Sequence, residues 1–148
     1  MNSALNISLV IIAFCFMEGV AWFTHKYVMH GFLWRWHKSH HMPRKGVFEL
    51  NDLFSLLFAI VGAGLLFLGF DQLDTRFYLG LGISIYGMAY FAVHDVFIHQ
   101  RVKWLRNTRY AYFKAMRKAH KIHHKQQTKE NGEAFGFLFV PPKYRNQP

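Results

Sequence analysis

The sequence predicts an all-α integral membrane protein with three transmembrane helices and cytoplasmic helices that carry histidine clusters. Its 148 residues include three long apolar segments, and seventeen of the eighteen Lys and Arg residues fall in two stretches, 26–45 and 101–145. Its ten histidines outnumber its eight acidic residues. The net charge of +10 is also typical of nucleic-acid-binding domains. A soluble domain of that kind has no reason to carry long apolar segments, so no nucleic-acid partner is expected.

The first apolar segment, residues 4–24, contains one charged residue, Glu18, and is long enough to cross a bilayer. A cleaved signal peptide is the alternative interpretation. No basic residue precedes the segment, no small-residue cleavage site is evident, and His25 follows at once. We therefore expect a retained transmembrane helix.

Two further spans are predicted at residues 53–70 and 77–98. Asn51 and Asp52 precede the first of them and are expected to cap it. The other contains three glycines, which are frequent in membrane helices because they let backbones approach closely. A fourth span would have to come from residues 102–119, which carry too many charges. That stretch is expected to form an amphipathic helix at the membrane surface.

Three crossings place residues 25–52 and 99–148 on the same side of the membrane. This side carries seventeen of the eighteen basic residues, so the positive-inside rule predicts that it is cytoplasmic and that the N-terminus is external. Residues 1–148 are expected to form a single membrane-embedded domain.

All ten histidines fall in four short clusters at the cytoplasmic ends of the spans or just beyond them. The clusters are His25 with His30, His37 with His40 and His41, His94 with His99, and His120 with His123 and His124. Spacings of three and four residues share one face of a helix. A helix over residues 30–41, ended by Pro43, would place four imidazoles on one stripe. Spacings of five do not fit a regular α-helix, so either the helix distorts there or the two rings approach from different sides.

This concentration of imidazoles predicts metal binding by all ten histidines. Burying so many rings without a metal would leave donors unpaired and would crowd like charges on protonation. Imidazole suits iron, zinc, copper and nickel alike. One tetrahedral zinc needs four ligands, whereas eight or more nitrogen ligands fit two metals. The scarcity of carboxylates nearby argues against a glutamate-rich di-iron bundle.

Two carboxylates are candidates to support these histidines. Asp95 follows His94 and is expected to accept an imidazole N–H and hold the ring in one tautomer, with an interfacial helix cap as the alternative. Glu18 lies seven residues before His25 on nearly the same helix face. A carboxylate inside a membrane is a functional candidate, and a protonated structural residue bonded to a neighbouring helix is the alternative.

The order of the boxes, HX4H, HX2HH, HX4H and HX2HH, resembles the fatty acid hydroxylase superfamily of histidine-rich membrane di-iron oxygenases. Narrower motifs resemble those of the bacterial β-carotene 3-hydroxylases. They are HKYVMHG at 25–31, WHKSHH at 36–41, FELNDL at 48–53, HD at 94–95 with HQR at 99–101, and FGFL at 135–138 before the double proline.

The resemblance implies hydroxylation of β-ionone rings at C3, from β-carotene through β-cryptoxanthin to zeaxanthin. It implies two non-haem iron ions held by the histidines, O2 as co-substrate, electrons from a reduced ferredoxin or similar donor, and no catalytic residue beyond the metal centre. The setting would be the inner (plasma) membrane, with the active site on the cytoplasmic side. The carotenoid is expected to arrive from the bilayer, and the donor to dock on a basic face that includes Arg101, Lys103 and Arg106.

Two alternatives stay open. A fatty acid or sterol hydroxylase or desaturase of the same superfamily would use similar boxes. A histidine-rich metal transporter would also present many ligands, but three spans with every ligand at one face provide no polar path across the membrane.

Overall fold

The computed structural model describes residues 2–43, 46, 48–101 and 107–145, and every regular element in that part of the chain is helical. The elements are α1 (Ser3–Phe23), which continues as a first π-helical segment (Thr24–Phe32); α2 (Trp34–His41); α3 (Asp52–Gly69); α4 (Thr75–Tyr90), which continues as a second π-helical segment (Phe91–Ile98); α5 (Ala111–Lys125); and a short 3-10 helix (Pro142–Tyr144). The predicted all-α class is confirmed.

Three helices have the length and composition needed to cross a membrane. They are Ser3–Phe32, Asp52–Gly69 and Thr75–Ile98, which confirms the predicted number of spans. The first is longer than the apolar segment 4–24, because the helix continues without interruption into its π-helical part.

The distribution of side chains is the reverse of that in a soluble protein. Large apolar side chains lie on the outside, with Phe16 69% and Phe67 83% exposed. The most buried large side chains are His37 at 1% and His123 at 0% exposure. Ionisable groups gathered inside and apolar groups facing outward are what a lipid environment requires.

Helix α4 lies between α1 and α3 and contacts both. Two of its glycines make this possible. A Cβ at Gly80 would lie 2.7 Å from the backbone nitrogen of Leu66 on α3, and one at Gly82 would lie 2.5 Å from the carbonyl oxygen of Val10 on α1. Two residues subtend about 200° on a helix, so the two glycines serve opposite sides of α4.

The start of α3 corrects one expectation about Asn51 and Asp52. The helix does begin at Asp52, but the Asn51 side chain makes no capping hydrogen bond. Asp52 Oδ2 instead accepts from the backbone N–H of Glu49 at 2.9 Å, before the helix begins. The Asn51 side chain is therefore free for another role, described below.

The continuous helix over residues 30–41 that the sequence left possible does not form. The backbone leaves helical geometry at Gly31 (φ −101°, ψ −121°), and α2 begins afresh at Trp34. The helix ends at His41, two residues before Pro43, as predicted. The break lets α2 take a direction of its own relative to the first π-helical segment.

The surface helix predicted over residues 102–119 can be compared with the structure only from residue 107 onward, because residues 102–106 lie outside the described residues. Helix α5 starts at Ala111 and reaches Lys125. Its apolar side chain Met116 is buried in a cluster with Val140 and Tyr144. One side of α5 thus packs inside the protein, while Tyr112 and Phe113 near its start are exposed.

We expect Gly80→Ala and Gly82→Ala each to destabilise the protein by about 1–3 kcal/mol, because a Cβ at either position overlaps backbone atoms of the next helix. Thermal unfolding in detergent micelles measures the effect. Gly64→Ala is the matched control, since nothing lies within 4 Å of a Cβ there. Equal stability of all three variants would contradict this account of the packing.

Candidate metal centre

The ten histidines, though 99 residues separate the first from the last, converge in one place. Nine of them form two groups, in each of which one ring nitrogen per residue lies within 4.8 Å of all the others. The first group comprises His25, His30, His37, His41 and His123. The second group comprises His40, His94, His99 and His120. Neither group includes a carboxylate or a thiol, so the donor set is entirely imidazole.

The two π-helical segments explain the five-residue spacings. A π-helix forms hydrogen bonds between residues five apart and so brings such residues close to one face. The rings of His25 and His30 have centroids 5.3 Å apart, and those of His94 and His99 are 4.6 Å apart. The backbone N–H of His99 donates to the carbonyl of His94 at 2.9 Å. Of the two alternatives left open by the sequence, helix distortion is confirmed.

Helices α2 and α5 each contribute to both groups. On α2, His37 and His41 belong to the first group, and His40 belongs to the second. On α5, His123 belongs to the first group and His120 to the second. The common helix face predicted for each HX2HH box is therefore shared between two adjacent sites.

His124 lies between the groups. Its ring stacks on that of His41 with centroids 4.6 Å apart, and it lies 4.6 Å from the ring of His40 and 4.5 Å from that of His120. Its Nε2 is buried and has no hydrogen-bond partner among the described residues. A buried ring nitrogen of this kind remains available to a ligand.

Six of these histidines share a further property: their Nδ1 atoms face hydrogen-bond acceptors. In the first group the contacts are His25 with the Phe135 carbonyl (3.1 Å), His30 with the Lys129 carbonyl (3.3 Å), His123 with the Glu133 carbonyl (2.9 Å) and His37 with Asn51 Oδ1 (2.7 Å). In the second group they are His40 with Glu49 Oε2 (3.1 Å) and His94 with Asp95 Oδ2 (3.4 Å). These oxygens only accept, so each Nδ1 carries the proton and donates it.

The Nε2 atoms of these rings must then be unprotonated, because a neutral imidazole has only one N–H. They nevertheless face each other at short range. The Nε2–Nε2 distances are 3.0 Å for His25 with His37, 3.3 Å for His30 with His123 and 3.2 Å for His40 with His94. Two lone pairs cannot share a hydrogen bond that neither can donate. A cation placed among them removes the repulsion, which makes both groups suitable for metal ions.

The protonation state of the site agrees with metal binding. Burial lowers the pKa of His37 to about 2, of His123 to about 3 and of His41 to about 4, with further lowering from neighbouring histidines. Burial likewise holds the pKa of His120 well below its ordinary value. These rings are therefore neutral at pH 7, which is the form that binds a metal.

Asp95 accepts from His94, as expected, and its other oxygen pairs with the Arg101 guanidinium at 2.7 Å. Arg101 also donates to Asp52 at 2.8 Å, and its side chain is 19% exposed. Its charge is thus used inside the protein, which makes Arg101 a poor part of a docking surface. Lys103 and Arg106, the other two residues expected there, lie outside the described residues.

Glu18 makes its hydrogen bonds away from the histidines. Its Oε2 accepts from the Tyr86 hydroxyl at 2.8 Å. Its Oε1 accepts from three consecutive backbone N–H groups, those of Phe137, Leu138 and Phe139, at 2.8–3.0 Å. The bond to α4 matches the alternative of a structural carboxyl group tied to a neighbouring helix, and the three backbone bonds were not expected.

The sequence did not single out Asn51, Glu49 or the three backbone carbonyls as partners of the histidines. Asn51 has the signal of a helix cap, and Glu49 appears only inside the FELNDL motif. A polar side chain close to a histidine box is a usable signal for such a partner. A backbone carbonyl leaves no such signal in the sequence, because every residue has a carbonyl group.

A cavity of about 500 Å³ adjoins the histidines. Apolar side chains of α1, α3 and α4 form most of its wall, among them Met17, Phe58 and Ile83. His25, His94 and His120 also line it. None of the described residues that line it is a lysine or an arginine. The cavity therefore suits an uncharged, apolar molecule.

Known proteins share the sequence as well as the histidine pattern. The chain is 45% identical to a β-carotene hydroxylase of Pseudescherichia vulneris, with 91% of this chain and 77% of the relative aligned. It is 42% identical to a β-carotene hydroxylase of Pantoea ananas, over 93% of this chain and 78% of the relative. A chloroplastic β-carotene hydroxylase 1 of Capsicum annuum is 40% identical over 86% of this chain, which spans 41% of that longer protein.

No solved structure matches the chain. The fatty acid hydroxylase family model matches residues 10–141. This range includes all ten histidines, Glu18, Asp95 and the whole lining of the cavity. The chain therefore belongs to the fatty acid hydroxylase family.

Proposed function

We propose that this protein hydroxylates carotenoid β-ionone rings at C3 with O2, converting β-carotene through β-cryptoxanthin to zeaxanthin. The observation that carries the proposal is the pair of histidine groups whose unprotonated Nε2 atoms face each other beside an apolar cavity. The relatives named β-carotene hydroxylase, aligned over most of this chain, support the choice of substrate.

The proposed cofactor is two iron ions, one in each histidine group, with all ten histidines as ligands. His124, which lies between the groups, is proposed to complete one of the two sites. Bound iron supplies the activation of O2 that is needed to break an unactivated C–H bond. The protein's own part is to hold the imidazoles neutral, to fix their tautomers through Nδ1 and to surround the site with apolar side chains that exclude water.

The cavity supports delivery of the substrate from the bilayer. A C40 hydrocarbon partitions into lipid, and the cavity lies among the three helices that are long and apolar enough to cross it. One ring of the carotenoid would lie near His94 and His120, with the polyene held between Met17 and Phe58. Contacts with these walls orient the C3 carbon toward the metal centre.

The proposed electron donor is a reduced ferredoxin or a similar soluble protein. Helix α5 carries Lys114, Lys121 and Lys125 exposed on the face opposite His123, and neither α2 nor α5 contains an acidic residue. An acidic donor would be attracted to this surface. We propose that this surface lies on the cytoplasmic side of the inner membrane, because the basic residues are concentrated on one side of the spans.

A fatty acid hydroxylase or desaturase is the alternative within the same chemistry. A free fatty acid brings a carboxylate, and a site that binds it favours a lysine or arginine partner. The described lining of the cavity offers Asp95 instead and no cation. A hydrocarbon substrate fits this lining better.

Expression in a host that accumulates β-carotene tests the proposal. We expect zeaxanthin and β-cryptoxanthin to appear, with product formation dependent on O2, and two irons per purified chain. Pigment analysis by chromatography and an iron assay measure these outcomes. Unchanged pigment alongside folded, iron-loaded protein would exclude the carotenoid assignment, and mobile zinc without oxygenase activity would favour a metal transporter.

Gly87 offers a test of the cavity itself. It lines the cavity, and nothing lies within 4 Å of a Cβ built there, so Gly87→Phe fills the cavity without displacing the backbone. We expect at least a tenfold loss of carotenoid turnover with both metals retained. Gly64→Phe is the control, because Gly64 is equally open but does not line the cavity. Equal turnover in the two variants would place the substrate elsewhere.

Chelated, metal-free protein should lose stability as the pH falls below about 6.5. The unfolded chain binds protons on His37, His41 and His123 near their ordinary pKa of 6.5, whereas the folded chain binds them only near 2 to 4. Between pH 6.5 and about 4 the unfolded chain therefore binds protons that the folded chain does not. At pH 5.5 each of these histidines lowers the free energy of unfolding by about 1.4 kcal/mol. Unfolding at pH 7.5 and 5.5 measures this, and His123→Gln should reduce the loss by one histidine's share. A stability independent of pH would contradict the burial of neutral rings.

A further inference from the structure

Residues 129–139, here named the strap, lie against the first histidine group. Three of its carbonyls, those of Lys129, Glu133 and Phe135, accept the Nδ1–H groups of three histidines of that group. The strap has no regular secondary structure. A short irregular segment therefore determines where most of the lone pairs of the first group point.

The strap does not hold this conformation by local preference. Asn131 and Ala134 both have φ of 59°, in the left-handed region that disfavours a residue with a Cβ. Ala134 has no side-chain hydrogen bond to offset the cost. An interaction from elsewhere in the fold must keep the strap in place.

Glu18 provides one such interaction, beside the Tyr112 hydroxyl, which donates to the Leu138 carbonyl, and Lys143, which pairs with Glu133. Three consecutive backbone N–H groups, at residues 137–139, converge on its Oε1. Successive N–H groups in this arrangement form a concave site for an anion, and hydrogen bonds to a carboxylate are stronger than those between neutral groups. Phe137 adds an apolar contact, since it is buried with Met17 and Tyr86.

The geometry links this anchor to a metal ligand. Glu18 and His25 lie on one continuous helix, seven residues or about 10 Å apart. The strap runs alongside, with residue 137 bonded to Glu18 and residue 135 bonded to His25 Nδ1. Helix and strap thus form a closed loop in which the carboxylate fixes the carbonyl and the carbonyl fixes the imidazole.

We propose that Glu18 is a positioning residue for the first histidine group, acting through the strap backbone on the orientation of His25. This inference rests on the proposed function in one respect, that a metal occupies the group. It assigns Glu18 neither a metal bond nor a bond to a histidine, because its two oxygens are already occupied by the four hydrogen bonds described.

The experiment compares wild type with Glu18→Gln, which keeps the size of the side chain and removes its charge. Amide hydrogen exchange in the chelated protein reports on the strap, and we expect at least tenfold faster exchange at residues 137–139. Anaerobic titration with Co(II), followed by its visible spectrum, reports on the metal sites. Loss of an outer hydrogen-bond partner typically weakens metal binding 10-fold to 100-fold. We expect about tenfold weaker binding at the first group and unchanged binding at the second.

Two variants assign the spectral steps: His25→Ala removes a ligand of the first group, and His94→Ala removes one of the second. Glu18→Asp keeps the charge on a shorter side chain. Its metal affinity at the first group and its strap exchange rate should fall between those of Glu18→Gln and wild type. Tyr86→Phe removes the bond to α4 and leaves the three strap bonds, so metal binding should be unchanged. Glu130→Gln removes an exposed carboxylate of the strap and should also have no effect.

Several outcomes would overturn the inference. One is wild-type exchange and wild-type metal affinity in Glu18→Gln. Another is a Tyr86→Phe variant that loses metal to the same degree, because the helix-to-helix bond would then be the cause. Failure of wild type to bind any metal would refute the proposed function instead. The exchange rates would still decide whether Glu18 holds the strap.

Discussion

The hydrogen bond from Nδ1 to an oxygen acceptor, made by six of the ten histidines, is the constraint on which the rest of this structure depends. It fixes the tautomer, and the tautomer directs an unprotonated Nε2 toward the interior of each group. Without a cation these lone pairs oppose one another at 3.0–3.3 Å. With one, the repulsion becomes coordination. The acceptors therefore have to be as accurately placed as the histidines themselves.

That requirement accounts for the way the elements are assembled. Every α-helix except α3 supplies histidines, directly or through its π-helical continuation, and the loop before α3 supplies two of the acceptors. Helix α4 packs against α1 and α3 through glycines, and these close contacts fix the separation of the three helices. Buried histidines form a large part of the interior, beside two clusters of buried apolar side chains. The alignment of the histidines is thus a collective property of the whole chain.

Much of this follows from the sequence, for physical reasons that differ between elements. The spans are predicted because length and apolar composition determine membrane insertion, and the ten histidines because ligand chemistry limits the choice of residue. The break at Gly31 and the division of each HX2HH box between two groups were not predictable, since tertiary packing decides them. The spacing of His25 and His30 signalled a distortion without naming a π-helix. The role of Asn51 was hidden because the same residue type also caps helices.

The strap has a consequence for the order in which the protein is made. It lies at residues 129–139, so it leaves the ribosome after all three spans and after every histidine. Until it docks on Glu18, three rings of the first group lack the carbonyls that set their tautomers. The nascent chain consequently passes through a stage in which its ligands are present but not yet oriented. Under the proposed function, metallation of the first group would follow synthesis and docking of the strap, and a chain truncated before residue 129 would lack the three carbonyls and bind metal poorly at this group.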